Sequence, residues 1–186
     1  MVDGEVRTTT MIVGLTGYAQ SGKDTVAKIL VDNYGFKRVA FADKIRELLL
    51  EINPIMYNGS RLSVLVNEFG WEFAKSNLEV RRLLQDFGVG ARNILGSDIW
   101  IISALREMDD LNQNYVVTDV RFLNEASMIK NLNGQLWRIK KIEVEAVNDH
   151  ISESEMADYK VDQIFTNNGT LEDLELLVKT RMNGFQ

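Results

Sequence analysis

The sequence predicts an α/β fold in which a central parallel sheet carries helices on both faces. Short apolar segments alternate with longer segments whose apolar residues recur every three or four positions, which is typical of strands alternating with helices. The chain has 186 residues, of which 45% are apolar, so it can build a sizeable core as one domain. We expect residues 1–10 to be a disordered leader and residues 11–186 to form this domain.

The first strand–turn–helix unit carries the clearest functional signal. Residues 11–16 predict a buried strand, and Lys23–Tyr34 predicts a helix with one apolar stripe. The turn between them, GYAQSGKDT, contains Gly17 and Gly22, which permit backbone conformations that a side chain would penalise. Backbone N–H groups and a helix N-terminus then face an anion. The context predicts a phosphate-binding loop (P-loop), with Lys23 reaching the β- and γ-phosphates of a nucleotide.

One position of this loop departs from the usual pattern. Asp24 follows the lysine, where the standard loop has a Ser or Thr hydroxyl that holds magnesium, and Thr25 comes one place later. The metal ligand is therefore open between Asp24, Thr25 and an outer-sphere water.

The segment after the first helix predicts a strand, a helix and an irregular region. Residues 36–42 alternate enough for a second strand, and Asp43 can cap a helix that ends at Asn53 and Pro54. Residues 54–78 are the least regular part of the chain. We expect a small helical cover there, at the place where a mononucleotide-binding fold carries an acceptor-binding insertion.

The rest of the chain continues to alternate helix and strand signals. Helices are predicted over residues 79–87, 97–108, 122–133 and from 170 onward, and strands over residues 115–118, 135–139 and 162–165. Residues 88–90 (Gly-Val-Gly) are expected to end the first of these helices, and Thr170 with Asp173 to cap the last one. Residues 140–160 are polar and poorly patterned.

Groups with chemical potential follow several of the predicted strands. They are the loop at residues 17–25, residues 41–43, and Asp119 with Arg121. In open parallel sheets, ligands bind beyond the carboxyl ends of the strands. The pattern therefore predicts one crevice that contains a nucleotide phosphate, an acidic group and an arginine.

Composition excludes several other classes of function. The net charge of −6 is unlike that of a protein that binds nucleic-acid polymers. The chain has no Cys and a single His, His150, so a zinc site is not expected and a loop hydrogen bond is the favoured role of His150. No apolar run is long enough to cross a membrane, and no signal-peptide core is present, so a cytoplasmic location is the default expectation.

Phosphoryl transfer depends on positioning and positive charge more than on a covalent catalyst. The candidate cations are Lys23, Arg46, Arg81, Arg92 and Arg121. Arg121, just past a strand end, is favoured as a phosphate ligand, whereas Arg82 is expected to pair with Asp86 on a solvated face. Asp119 is a candidate for holding a magnesium-bound water or a substrate hydroxyl, with helix capping as the alternative. Glu125 either orients Arg121 or contacts a ligand.

Several stretches together resemble the phage-type deoxynucleoside monophosphate kinases. They are residues 17–25, residues 80–85 with Gly88, residues 119–121 with Glu125, residues 150–153 and residues 166–174. Taken in order they cover nearly the whole chain from Met11 onward, and the Gly-Lys-Asp-Thr ending of the loop is a variant of this family. The resemblance implies a P-loop NTPase three-layer sandwich in which ATP, with Mg²⁺, phosphorylates a deoxynucleoside 5′-monophosphate to the diphosphate. If the gene is phage-encoded, the location is the host cytoplasm.

The resemblance also implies site residues. With Gly17 from the loop geometry and Asn168 by analogy to loops near adenine, the predicted ATP site comprises Gly17, Ala19, Ser21, Gly22, Lys23, Asp24, Thr25 and Asn168. With the residue-level candidates Gln85 and Arg92, the predicted acceptor site comprises Ile45, Arg46, Arg81, Gln85, Gly88, Val89, Arg92, Trp100, Asp119, Arg121 and Glu125. The predicted catalytic residues are Lys23, Asp119 and Arg121. Residues 140–160 are expected to form a lid or a donor-side loop.

Two alternatives to this function stay open. Small-metabolite kinases of the phosphomevalonate or dephospho-coenzyme A type share the loop and the Asp-x-Arg strand end, and a non-catalytic regulator would bind the nucleoside triphosphate alone. The Arg-Arg-Leu-Leu-Gln helix favours a nucleotide acceptor. The predicted partners are therefore small nucleotides, with no nucleic-acid polymer and no membrane, and a homodimer is a state that the sequence allows.

Overall fold

The computed structural model describes residues 10–141, 155–156 and 158–185. Residues 1–9 of the predicted leader, most of the predicted loop at residues 140–160 and His150 lie outside the described residues. The chain divides into two compact units. The first is formed by the described residues up to Ala40 and from Leu105 onward, and the second by Phe41–Ala104. Within the described ranges, none of the helices combines the length and the apolar character that crossing a membrane requires.

The first unit is built on a five-stranded parallel sheet with the strand order β2-β3-β1-β4-β5. The strands are β1 (Ile12–Thr16), β2 (Lys37–Val39), β3 (Tyr115–Val117), β4 (Gln135–Lys140) and β5 (Gln163–Thr166). Every residue of β1 is buried, because this strand lies in the centre between β3 and β4. The loop after β1 therefore starts from the most constrained strand of the sheet.

Helices cover both faces of this sheet. The helices of the first unit are α1 (Lys23–Tyr34), α6 (Leu123–Asn131) and α7 (Leu171–Asn183). Apolar residues of α1 and α7, such as Leu30 and Val178, share one core with Trp137 of β4. Gly14 lies on the opposite face, because successive residues of a strand alternate between faces, and there the side chain of Ile129 from α6 packs against it. The predicted α/β architecture, a parallel sheet between two helical layers, is confirmed.

The second unit is helical. Its helices are α2 (Phe41–Ile52), α3 (Leu62–Ala74), α4 (Leu78–Leu95) and α5 (Ile99–Leu105). Buried residues of α2, α3 and α4, including Leu49, Leu62 and Val80, form its core. Gly70 interrupts α3 with φ 76° and ψ 168°, a backbone conformation that only glycine adopts without strain.

Two predicted boundaries are wrong. The second strand ends at Val39 and α2 already begins at Phe41, so Asp43 lies in the first turn of the helix instead of at its N-cap. The Asp43 carboxylate accepts a hydrogen bond from Arg46 Nη1 at 2.9 Å. Residues 88–90 do not end a helix either, because α4 runs on to Leu95. A Cβ at Gly88 would lie 3.0 Å from Ile45 Cδ1, so this glycine allows α2 and α4 to approach closely.

Asp162, just before β5, is hydrogen-bonded to β4 and α6, and the stability that these bonds provide depends on pH. Its carboxylate accepts hydrogen bonds from Leu136 N (2.8 Å) and Lys130 Nζ (2.9 Å). Burial opposes ionisation of Asp162, but the hydrogen bonds, together with the positive charges of Lys130 and Arg181, outweigh it and lower the pKa of this carboxyl below its ordinary value. A carboxyl with a depressed folded-state pKa stabilises the fold above its unfolded pKa, and this contribution is lost as the pH falls through the folded value.

We therefore expect Asp162→Asn to lower the free energy of unfolding near neutral pH. The difference from the wild type should shrink as the pH falls below about 4, where the unfolded carboxyl is already protonated. Urea unfolding of both proteins across this range measures the effect. A difference that stays constant with pH would contradict the assigned role of the ionised carboxylate.

Candidate active site

The loop between β1 and α1 has the geometry of an anion site. Gly17 has φ 138°, and a Cβ there would lie 2.3 Å from the carbonyl oxygen of Ile139, so no other residue fits. Gly22 has φ 106° and precedes the first helical residue, Lys23, without any side-chain cap. The first N–H groups of α1 have no intrahelical partner, and the helix dipole adds positive potential at this end. The predicted strand, loop and helix are confirmed.

The Lys23 ammonium lies across this loop. Its Nζ donates hydrogen bonds to the carbonyl oxygens of Gly17 and Tyr18, both at 2.7 Å. These bonds keep a positive charge at the loop although Lys23 belongs to the helix that follows it. A phosphate oxygen bound in this loop would therefore meet a positive charge that the loop already holds.

The Ser21 hydroxyl is the orphaned polar atom of the site. Ser21 is 1% exposed, and its Oγ has no hydrogen-bond partner within the described part of the chain. An unpaired buried hydroxyl costs free energy unless a ligand supplies its partner. It faces Gly17, since a Cβ there would lie 3.1 Å from Ser21 Oγ. A phosphate oxygen bound in the loop would satisfy it, so the residues present fit a nucleotide polyphosphate.

The acidic and hydroxyl groups beside the loop fit Mg²⁺ bound together with phosphate. Asp24 is exposed and Thr25 is half-buried, both in the first turn of α1. Among the residues that the structure describes, no group of three or more His, Asp or Glu side chains could hold a metal by itself. Mg²⁺ commonly takes one or two protein ligands and completes its shell with water and substrate phosphates. Asp24 and Thr25 match that requirement.

Asp119 and Arg121 follow β3 at the same edge of the sheet. The intervening Val120 is buried and its N–H donates to Leu15 O of β1 at 3.1 Å, which ties the segment to the central strand. Asp119 is half-buried and Arg121 is exposed. The segment therefore holds a carboxylate and a guanidinium on a rigid support beside β1.

Glu125 fixes the backbone of this segment. It is 3% exposed, and its Oε2 accepts hydrogen bonds from Arg121 N (2.8 Å) and Phe122 N (3.1 Å). Glu125 thus caps α6 and orients Arg121 through the main chain. α6 begins at Leu123 with Phe122 as its N-cap. Capping of this helix stays the alternative role for Asp119.

We expect Glu125→Ala to lower the free energy of unfolding by about 1–3 kcal/mol, because it leaves two N–H groups without their acceptor. Glu125→Gln keeps one acceptor oxygen and should cost less. Urea unfolding of the two variants measures both values. If Glu125→Ala were as stable as the wild type, the capping role would be wrong.

The end of the predicted loop at residues 140–160 is tied to the sheet where the structure describes it. Glu155 Oε1 accepts a hydrogen bond from Leu123 N at 3.2 Å. The Arg138 guanidinium on β4 donates to the carbonyl oxygens of Met156 and Tyr159. This segment therefore approaches the start of α6, two residues from Arg121.

In the second unit, the structure brings together several residues predicted to bind the acceptor. Ile45 of α2 packs against Gly88 of α4, and the Trp100 Nε1–H donates to Gly88 O at 3.0 Å. Trp100 is 6% exposed and lies 6.4 Å from the Phe87 ring, centre to centre. The α2, α4 and α5 helices thus meet at Gly88, and Trp100 has the core role that such burial implies.

Arg46 lies beside this contact with part of its guanidinium already paired. Its Nη1 binds Asp43, while its Nε is buried and has no hydrogen-bond partner in the described ranges. The guanidinium carbon lies 5.9 Å from the centre of the Trp71 ring, within the range of a cation–π interaction. Trp71 follows the Gly70 interruption of α3. Sequence reasoning missed Trp71, because its approach to Arg46 depends on that interruption.

The remaining candidates are spaced along α4. Arg81, Gln85, Gly88 and Arg92 follow one another at four-, three- and four-residue intervals and so share one side of the helix. Val89 is adjacent and 37% exposed. The Arg82 and Asp86 side chains, 77% and 70% exposed, form an ion pair at 3.4 Å. The solvated pairing predicted for Arg82 is confirmed.

The fold and the loop define the class of protein. A parallel sheet whose central strand leads through a phosphate loop into a helix is a P-loop nucleotide-binding fold. The dephospho-CoA kinase of Campylobacter jejuni has a similar solved structure, with a TM-score of 0.51 at 18% identity, covering 94% of this chain and 96% of that one. This similarity supports the fold alone.

The sequence comparisons define the family. The sequence model of the protein family described as deoxynucleotide monophosphate kinase matches residues 63–178, which is more than half of the chain. The chain belongs to the deoxynucleotide monophosphate kinase family, and it is a phosphotransferase. Membership of this family implies the use of ATP.

Two curated relatives carry the name of this family, and a third is a dephospho-CoA kinase. A putative deoxynucleotide monophosphate kinase of Acanthamoeba polyphaga mimivirus is 29% identical over 177 residues, covering 88% of this chain and 91% of its own. The deoxynucleotide monophosphate kinase of Escherichia phage RB69 is 29% identical over 100 residues, 51% of this chain and 41% of its own. A dephospho-CoA kinase of Borrelia garinii is 27% identical over 144 residues, 76% of this chain and 60% of its own.

Proposed function

We propose that this enzyme transfers the γ-phosphoryl group of ATP to a deoxynucleoside 5′-monophosphate, giving the diphosphate and ADP. The observation that carries the donor side is the loop after β1, where the Lys23 ammonium, the open start of α1 and the orphaned Ser21 hydroxyl converge. The family assignment supports the acceptor.

On the donor side, the loop would bind the triphosphate through its backbone. The N–H groups of residues 22–25 and the Lys23 ammonium offer the positive potential that β- and γ-phosphate oxygens require. Asp24 and Thr25 would hold Mg²⁺, which neutralises charge on the phosphates when bound. Asn168, the second residue after the end of β5, is the proposed residue on the adenosine side.

On the acceptor side, arginines would hold the second phosphate. Arg121 would offer its guanidinium at the strand edge, and Asp119 would bind a substrate hydroxyl or a magnesium-bound water. A guanidinium group can donate two parallel hydrogen bonds to the oxygens of one phosphate, and it stays charged at any working pH. Because phosphoryl transfer needs alignment and charge compensation, these groups suffice without a covalent intermediate.

The second unit would bind the acceptor nucleoside. Arg46 has a buried Nε without a partner in the described ranges, so a ligand oxygen could complete its hydrogen bonds. Arg81, Gln85, Val89 and Arg92 would line the same side of α4, while Ile45, Gly88 and Trp100 would shape its support. Residues 54–78, which include α3, form the proposed acceptor-binding insertion. The proposed location of the enzyme is the cytoplasm.

A second candidate is the phosphorylation of dephospho-coenzyme A. The Borrelia garinii relative that carries this name matches 76% of the chain. That reaction uses the same donor loop but a larger acceptor whose phosphorylated group is a sugar hydroxyl. The two candidates therefore differ at the acceptor and share every expectation about ATP.

An acceptor panel separates them. ADP release is measured with ATP and magnesium against the four deoxynucleoside monophosphates, their ribose counterparts, dephospho-coenzyme A and mevalonate phosphate. We expect turnover with at least one deoxynucleoside monophosphate, well above the rate without acceptor. Faster turnover with dephospho-coenzyme A, or none with any nucleotide, would contradict the proposal.

A further inference from the structure

Asn167 connects the last strand of the sheet to the phosphate loop. It follows β5 directly, and its backbone N–H donates to Lys140 O of β4 at 2.7 Å. Its side-chain Nδ2 donates to the carbonyl oxygen of Ser21 at 2.9 Å, across 146 residues of sequence. The side chain is therefore fixed at its base by the sheet and reaches the loop at its tip.

The contact is tight enough to define the residue types on both sides. A Cβ at Gly22 would lie 2.4 Å from Asn167 Nδ2, so a larger residue there would displace the amide, and the φ of 106° also favours glycine. Aspartate would have the same shape as Asn167 but would set a carboxylate against the Ser21 carbonyl oxygen. It would also add a negative charge beside a site for polyphosphate.

The hydrogen bond has a consequence for the peptide group that it holds. Ser21 C=O and Gly22 N–H belong to one planar trans peptide, so they point in opposite directions. Holding the carbonyl oxygen toward Asn167 turns the Gly22 N–H away from β5. The opposite end of the loop is held too, where Gly17 packs against Ile139 O of β4. The ends of β4 and β5 thus set the orientation of the loop before any ligand binds.

We infer that Asn167 is a positioning residue for the phosphate loop: it orients the Ser21–Gly22 peptide so that the loop is preorganised for the polyphosphate of the donor. This inference rests on the proposed function only in taking a nucleoside triphosphate as the ligand. It differs from the role given to the neighbouring Asn168, because Asn167 acts through the loop and not on the base. Preorganisation raises affinity by reducing the ordering that binding requires.

Binding of tripolyphosphate, which has no base, tests the inference. Isothermal titration with magnesium measures the Kd of ATP and of tripolyphosphate for the wild type, Asn167→Asp, Asn167→Ala and the control Asn131→Ala, an exposed residue at the end of α6. We expect Asn167→Asp to weaken both ligands by the same factor, about tenfold or more, and Asn167→Ala to weaken both by less. The control should match the wild type.

Two results would overturn the inference. One is a loss of ATP affinity with unchanged tripolyphosphate affinity, which would place Asn167 on the base. The other is unchanged affinity for both ligands. If thermal unfolding shows that one variant does not fold, the other variant tests the inference through the ratio of its loss of ATP affinity to its loss of tripolyphosphate affinity. A wild type that binds both ligands but phosphorylates no nucleotide would refute the proposed acceptor and leave this inference standing.

Steady-state kinetics gives an independent readout. Because Asn167 acts on the donor loop, Asn167→Asp should raise KM for ATP while KM for the acceptor stays near the wild-type value. A rise confined to the acceptor KM would contradict the assigned role. Binding of tripolyphosphate involves no acceptor. The binding experiment can therefore contradict the role of Asn167 independently of the kinetic experiment.

Discussion

Lys23→Ala is expected to reduce phosphoryl transfer by about a thousandfold or more, the scale at which removing one aligned charge-stabilising group acts. The Lys23 ammonium is held at the loop by Gly17 O and Tyr18 O, beside the open start of α1. No neighbouring side chain of the loop carries a positive charge that could replace it. The turnover number at saturating ATP and acceptor, from ADP release, measures the loss.

The matched control for this variant is Lys28→Ala. Lys28 is on the same helix, 76% exposed, and pairs with Asp32 at 2.7 Å on the surface. Such exposed pairs contribute little to stability, so this variant should keep wild-type turnover. Lys23→Ala should also remain folded, because the lysine is only half-buried at a loop. A folded Lys23→Ala enzyme with wild-type turnover would refute the assignment of the donor site.

Arg121→Ala is expected to lower the turnover number by about a hundredfold to a thousandfold. The capping of α6 by Glu125 fixes the main chain of Arg121, while the side chain stays exposed at the sheet edge. Its charge would compensate the negative charge that spreads over the transferred group. The loss should appear mainly in kcat, because the interaction strengthens in the transition state.

Arg82→Ala is the control for Arg121. Its guanidinium pairs with Asp86 on the exposed side of α4, so its removal should leave kcat and both KM values unchanged. Glu125 must stay intact in both variants, so that the backbone at residue 121 keeps its position. An Arg121→Ala enzyme with unchanged kcat would remove Arg121 from the catalytic residues.

The sequence predicted elements well where local patterns and packing agree. β1 and α1 appear where the apolar pattern places them, and Gly35 ends α1 in the left-handed conformation. The helix end predicted at residues 88–90 was wrong, because glycine can either end a helix or allow a close contact within one. There it makes room for Ile45 inside a continuous helix, a contact that the sequence does not reveal.

The difference between local signals and contacts between distant elements also explains which site residues the sequence revealed. The loop, the lysine and the Asp-x-Arg segment are local signals, so they were found in the sequence. Asn167 was expected only in a loop near the adenine and Trp71 was assigned no role, because their partners, Ser21 and Arg46, come from other elements. An asparagine after a strand predicts only a turn or a cap, and its link to the loop becomes visible once β4 and β5 are paired.

The fate of the γ-phosphoryl group distinguishes transfer to a nucleotide from hydrolysis. ATP labelled with ³²P at the γ position is incubated with the enzyme, magnesium and each deoxynucleoside monophosphate, and the products are separated by chromatography. With the wild type we expect the label to appear in a deoxynucleoside diphosphate, and with Lys23→Ala we expect it to be almost absent from that product. Label found only in inorganic phosphate, or in no product, would contradict the proposed transfer.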